Sequence, residues 1–211
     1  RKMDAIMGIQ QKETGDFIVN EKDKIINLTA EAFDIADIYR MPVMLLGDGM
    51  LGQMMEPVVM PENKDVKIAD KPWAACGHQN KREKNVVNSL YIQPEVLEDL
   101  VRERYERYEL IKENEQRAEE YLTEDADIIV VAFGGSARVS RNAVNAARAE
   151  GIKAGLIRPI TLWPFPEKAI RKTVATAKNY LCVEMNMGQM VDDVKVATEC
   201  KKPVSFFGRT G

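Results

Sequence analysis

The chain has 211 residues, 45% of them hydrophobic and 30% charged, which suits one large domain or two smaller units and excludes disordered and fibrous classes. Thirty Lys and Arg stand against 33 Asp and Glu, for a net charge of -3. No basic excess is available to draw nucleic acid or an anionic membrane surface, and no apolar run reaches the roughly 18 residues of a membrane span.

From the N-terminal side, residues 22–40 place Ile25, Leu28, Ala32, Ile35, Ala36 and Tyr39 at spacings of three and four, one apolar face of a helix. Pro42 stops it, and Val43, Met44, Leu45 and Leu46 read as a short buried strand running into Gly47, Asp48 and Gly49. One strand makes no sheet, so this segment is expected to be the tail of a larger domain. Arg1 at one end and Arg209, Thr210 and Gly211 at the other read as cuts in a longer sequence.

Residues 61–92 are polar and irregular, a connector, and 94–122 are expected as one long solvated helix with Leu97, Val101, Tyr108, Ile111, Ala118 and Leu122 on its apolar side. Alternation then becomes regular: strand 127–133, helix 137–150, strand 152–157, helix 166–177, strand 179–183, helix 188–199 and strand 203–207. Strands separated by helices predict right-handed crossovers and an α/β unit with a mostly parallel sheet. Gly151 falls where a helix C-cap belongs, and Ser136 is expected to cap the helix that follows Gly134 and Gly135.

Candidate chemistry is sparse. Gly47 to Gly52 matches GxGxxG with Asp70 about twenty residues on, yet Pro57 arrives too soon for the long helix that a dinucleotide fingerprint needs. The same Gly-Asp-Gly resembles the metal-and-diphosphate motif of thiamine diphosphate enzymes, without its usual paired asparagines; a strand-end turn is the plain reading. Cys76, Cys182 and Cys200 are too far apart for a disulfide framework or a CxxC site, which suits a reducing cytoplasm. His78 is the only histidine and reads as a surface residue. The methionines at 54, 55, 60, 185, 187 and 190 read as core or subunit packing. Glu103 with Arg107 is a solvated helix pair.

Longer motifs carry a resemblance. Arg158-Pro159-Ile160-Thr161-Leu162-Trp163-Pro164-Phe165-Pro166, then Val183 to Met190 (VEMNMGQM), then Phe207-Gly208-Arg209-Thr210-Gly211 are similar to the α-subunit of 2-oxoacid:ferredoxin oxidoreductases. The similarity extends through Ala132 to Arg138, Leu28 to Phe33, Tyr39 to Val43 and Gly52 to Pro57. Lys71 to Ala74, Ser89 to Tyr91 and Phe206 to Arg209 most resemble the branched-chain member, which acts on 2-oxoisovalerate; the 2-oxoglutarate enzyme is the close rival.

The resemblance implies a cytoplasmic, oxygen-sensitive hetero-oligomer. In it thiamine diphosphate with magnesium and iron–sulfur clusters, held mainly by other subunits, serve oxidative decarboxylation to an acyl-coenzyme A with electrons passing to ferredoxin. Implied partners are a β-subunit carrying the thiamine diphosphate and iron–sulfur and γ-type subunits, with no nucleic acid or membrane. Residues 1–60 are expected as the end of a pyrimidine-binding domain, 61–123 as connector and helix, and 124–211 as a transketolase C-terminal-like domain. Within that frame Asp48 and Gln53 are expected near the cofactor cleft. Glu184, Asn186, Gly188 and Gln189, at the carboxyl end of a strand, are expected at a subunit interface or a nearby ligand. No catalytic residue is assigned, and the isolated chain is expected to be inactive. Two readings from other classes stand beside this one: a nucleotide-binding regulatory domain using residues 47–52, and a structural assembly domain.

Overall fold

The computed structural model describes residues 25–47 and 70–210. In chain order they form α1 (Ile25–Tyr39), α2 (Pro94–Asn114), β1 (Ala118–Tyr121), β2 (Ile128–Ala132), α3 (Gly134–Ala149), β3 (Ala154–Pro159), α4 (Glu167–Thr173), β4 (Asn179–Glu184), α5 (Met190–Ala197) and β5 (Val204–Gly208).

The five strands form one sheet in the order β1-β3-β2-β4-β5. β2 lies at its centre, pairing in parallel with β3 on one side and β4 on the other, and β5 continues the parallel set beyond β4. Each face has its own core, because alternate residues of a strand point to opposite sides. Ile129, Val131, Ile157, Tyr180 and Cys182 pack with Ala169 and Ile170 of α4 and Met190, Val191 and Val194 of α5. Val130, Ala132, Ala154 and Leu156 pack with Ala137 and Val144 of α3 on the other face. Helices on both faces bury the near-continuous apolar run of β2, as the sequence alternation predicts.

Gly151 does end α3. Its φ of +85° lies in the left-handed region, its N–H donates to Arg148 O at 3.0 Å, and Ile152 N donates to Ala147 O at 3.0 Å. Those two bonds are the Schellman closure of a helix C-terminus.

Three expectations fail. Residues 43–46 are not a strand: no neighbouring strand among the described residues offers them a ladder, and Met44 and Leu45 are exposed. The long helix stops at Asn114, and residues 118–121 form β1, antiparallel to β3, with Ala118 opposite Pro159 and Tyr121 opposite Leu156. Ser136 is no cap; α3 already begins at Gly134, the N-cap residue is Phe133 with no side-chain bond, and Ser136 is buried in the first turn.

β1 is held by charge. Glu119 receives Arg158 Nε at 2.9 Å through one oxygen and Arg141 Nη1 at 2.9 Å through the other, joining β1 to β3 and α3. The Arg141 guanidinium also stacks over the Tyr121 ring at 4.1 Å. Arg158 is 5% exposed, so its charge needs this paired carboxylate.

α1 docks on the sheet unit through Leu28, Ile35 and Tyr39, which pack with Val43 beyond its end and with Ile160. Arg117 Nη1 bonds Glu31 at 2.6 Å, and the Tyr39 hydroxyl donates to Glu115 at 2.9 Å. Between α1 and α2 the described residues 70–93 hold turns and bends but no regular helix or strand.

Candidate functional site

Strand order reverses at β2: the chain moves from it to β3 on one side, then returns across it to β4 on the other. Ligands of open α/β sheets sit outside the carboxyl ends of strands at such a reversal. Two sequence motifs meet there, because Ala132 and Val183 are register partners. The β2–α3 turn carries Gly134 and Gly135, and the β4–α5 turn carries residues 185–189.

The β4–α5 turn is built around Glu184, whose side chain is fully enclosed at 2% exposure. Its carboxylate accepts the backbone N–H groups of Gln189 (3.2 Å), Met190 (2.9 Å) and Val191 (3.1 Å) and the Asn186 side-chain amide (3.1 Å). Helix N-termini leave such N–H groups unpaired, and they favour an anion. Glu184 is that anion, supplied by the preceding strand. Asn186 Oδ1 accepts Gly188 N at 2.6 Å, and Gly188 turns with φ +100° over the Phe206 ring. Arg209 N donates to Glu184 O at 3.2 Å and brings β5's end against the same turn.

All four flagged residues of this turn are therefore together in space. Glu184 faces inward and Gln189 outward, with Asn186 and Gly188 partly covered. Met185 and Met187 project at 58% and 84% exposure, with Phe206 and Phe207 exposed on β5, whereas Met190 is core. Sequence reasoning passed over Phe206 and Phe207 as site residues; two consecutive aromatics in a terminal strand were the available signal, since only one can face the sheet's interior. The Glu119, Arg141 and Arg158 cluster was also missed, having no motif spacing.

Burial decides the titration here. The Cys182 thiol, in the core two residues before Glu184, is pushed up to about 12, first by desolvation and then by the Glu184 charge. Tyr180 is raised by burial as well, and its hydroxyl lies 2.7 Å from Thr173 Oγ1. Neither group is a nucleophile poised for neutral pH.

Asp48 and Gln53 lie outside the described residues, as does most of the 47–52 glycine motif. His78, partly covered, accepts Asn80 N at its Nδ1 at 3.1 Å. Glu103 and Arg107 pair at 3.6 Å on α2, Glu103 exposed but Arg107 partly covered rather than fully solvated. All three cysteines are free. Among the described residues no three His, Cys, Asp or Glu side chains converge on a metal position, so these residues do not fit an iron–sulfur cluster or a magnesium-diphosphate site. Nor is any helix among them long and apolar enough to cross a membrane.

Residues 126–211, which carry the mostly parallel α/β sheet and its strand-end turn, match the family model for pyruvate:ferredoxin oxidoreductase core domain II. Over 91% of its length the chain is 44% identical to ketoisovalerate oxidoreductase subunit VorB of Methanothermobacter marburgensis, covering 54% of that protein. It is 29% identical to 2-oxoglutarate synthase subunit KorA of the same organism, over 88% of this chain and 56% of that one. The chain is a homologue of the ketoisovalerate oxidoreductase subunit VorB. It spans about half the length of the curated relatives it matches. In fold it superposes with TM-score 0.70 and 21% identity on a 2-oxoglutarate:ferredoxin oxidoreductase from Magnetococcus marinus, covering 98% of this chain and 39% of that one.

Proposed function

We propose that the chain is part of the α-subunit of a ferredoxin-linked oxidoreductase that converts 2-oxoisovalerate to its acyl-coenzyme A and carbon dioxide. One observation carries the substrate: identity is 44% to the ketoisovalerate subunit against 29% to the 2-oxoglutarate subunit over nearly the same share of this chain.

Thiamine diphosphate would supply the electron sink for decarboxylation. The described residues offer it no metal or diphosphate ligands, so no step is routed through them. Their part is architectural. The sheet unit braces subunits, and the Glu184 turn presents Asn186, Gly188, Gln189 and the exposed methionines to a partner or nearby ligand. Asp48 and Gln53 belong near the cofactor cleft, with residues 1–60 as the end of a pyrimidine-binding domain and 124–211 as the transketolase C-terminal-like domain. A β-subunit and iron–sulfur and γ-type subunits complete this cytoplasmic assembly, which passes electrons to ferredoxin.

The test is anaerobic purification of the full-length subunit with its partners, then coenzyme A-dependent viologen reduction with 2-oxoisovalerate, 2-oxoglutarate and pyruvate in parallel. Fastest reduction with 2-oxoisovalerate is expected. Preference for another acid overturns the substrate assignment, and no reduction by a complex retaining thiamine diphosphate and iron overturns the reaction.

A further inference from the structure

The motif from Arg158 to Pro166 is a junction. Arg158 bonds Glu119 of β1, Ile160 packs in the α1 cluster, Trp163 meets Tyr108 of α2 edge-on at 5.4 Å between ring centroids, and Phe165 joins the core of α4 and α5. Thr161 is fully buried, and its hydroxyl oxygen accepts the Arg117 N–H at 3.0 Å. In return, Ile160 N and Thr161 N donate to Arg117 O at 2.9 and 3.2 Å. The Arg117 backbone is thus tied to the motif through both its donor and its acceptor.

From that fixed backbone the Arg117 side chain reaches α1. One guanidinium nitrogen bonds Glu31 of α1 at 2.6 Å and another bonds Glu115 at 3.3 Å. The other oxygen of Glu115 accepts the Tyr39 hydroxyl at 2.9 Å. Glu31 and Tyr39 are about 12 Å apart along α1 at 1.5 Å per residue, so the helix is held at two separate points. Apolar contact alone does not set this geometry. The cluster under α1 draws only Ile160 from the sheet unit, and apolar attraction has no direction that would stop a helix from turning or sliding on it. A charged fork between two carboxylates sets an angle. Both ion pairs are partly exposed, so their effect lies in orientation more than in bulk stability.

We propose that Arg117 is a positioning residue, through which the sheet unit fixes the seat of α1 and of the chain that α1 leads into, Met41 to Gly47. Turnover depends on this seat, and substrate binding does not, because the Arg117 side chain is engaged by Glu31 and Glu115. The dependence of turnover rests on the proposed placing of residues 1–60 at the cofactor cleft; the seating of α1 is independent of it.

The test compares Arg117→Met, Arg117→Lys and Lys178→Met in the full-length subunit within its native complex under anaerobic conditions. Lys178, paired with Asp127 where β2 and β4 begin, is the control. Arg117→Met is expected to speed hydrogen exchange of residues 25–39 about threefold or more and to leave residues 128–184 unchanged. Arg117→Lys, which keeps the charge and loses the fork, falls between, and Lys178→Met matches the parent. No change in 25–39, or an equal change in both spans, overturns the seating. In coenzyme A-dependent viologen reduction with 2-oxoisovalerate, Arg117→Met is expected to lower kcat about tenfold or more, with KM within about twofold of the parent and thiamine diphosphate retained. Arg117→Lys is expected to recover part of that loss. Unchanged kcat, a rise in KM that accounts for the loss, or release of the cofactor overturns the positioning role. A parent complex inactive with every 2-oxoacid overturns the proposed reaction and with it the dependence of turnover, while the exchange result still decides the seating.

Discussion

Met190 N lies 2.9 Å from a Glu184 carboxylate oxygen, so the last residue of β4 closes the first turn of α5. Removing that acceptor leaves buried N–H groups unpaired, at about 1–3 kcal/mol for each group. Glu184→Ala is therefore expected to lower subunit stability by several kcal/mol, and Glu184→Gln, which keeps one acceptor oxygen, by distinctly less. Urea unfolding of the two variants checks the order; losses as large for Glu184→Gln as for Glu184→Ala would show that the one retained oxygen supports none of these bonds.

Gly155 is needed for want of space. A methyl group there would meet Leu122 O at 2.6 Å and Thr123 Cα at 3.0 Å, and backbone atoms cannot swing aside. Gly155→Ala is expected to cost about 1–3 kcal/mol by overpacking, with reduced separation between β3 and the turn after β1 no longer attainable. A thermal melt of the variant beside the parent protein measures it.

Cysteine chemistry separates by burial. At pH 8 iodoacetamide is expected to label Cys76 and Cys200, which are exposed, and to spare Cys182, which is enclosed in the core; peptide mass spectrometry reads the result. The Cys182 thiol ionises near 9 when unfolded and at about 12 when folded. A folded value above the unfolded one means its contribution is complete below pH 9 and is lost as pH rises toward 12. Denaturation across that window is expected to show falling stability, with a shallower fall in Cys182→Ala.

Arg148 ties three segments together, donating to Ala154 O at 2.6 Å, Leu122 O at 2.8 Å and Asp125 at 2.7 Å. Its hydrogen bond holds the Asp125 carboxyl below the usual carboxylate range. A lowered folded value contributes stability above the unfolded pKa and loses it as pH falls through the folded one. Arg148→Met is expected to move the Asp125 titration up toward ordinary values, followed by carboxyl chemical shifts between pH 2 and 6.

The alternation from Ile128 to Gly208 was legible because β2, β3 and β4 are apolar enough to be buried and turn signals separate strand from helix, Gly151 above all. β1 was not legible. Its sequence, Ala118-Glu119-Glu120-Tyr121, continues the charged pattern of α2, and what makes it a strand is the partner it finds forty residues on, with Arg158 and Arg141 to neutralise Glu119. Val43 to Leu46 shows the converse, since apolar β-branched and leucine residues do not make a strand without a ladder. The Glu184 turn was readable as a place, from a strand ending in a carboxylate before Asn186 and Gly188. That the carboxylate turns inward to serve α5 was not, because a motif does not say which way a side chain points.

Strand order also dictates a sequence of events. β2 is the first parallel strand the ribosome would release, and its two neighbours come later, β3 after one helix and β4 after two. Until Asn179 to Glu184 emerge, one long side of Ile128-Ile129-Val130-Val131-Ala132 has no hydrogen-bonding partner. A nascent chain at that stage displays an uncharged, β-prone edge of the kind that recruits other chains. Shortening the protein anywhere before β4 would make that transient exposure permanent, so the domain tolerates loss of α1 far better than loss of its last forty residues.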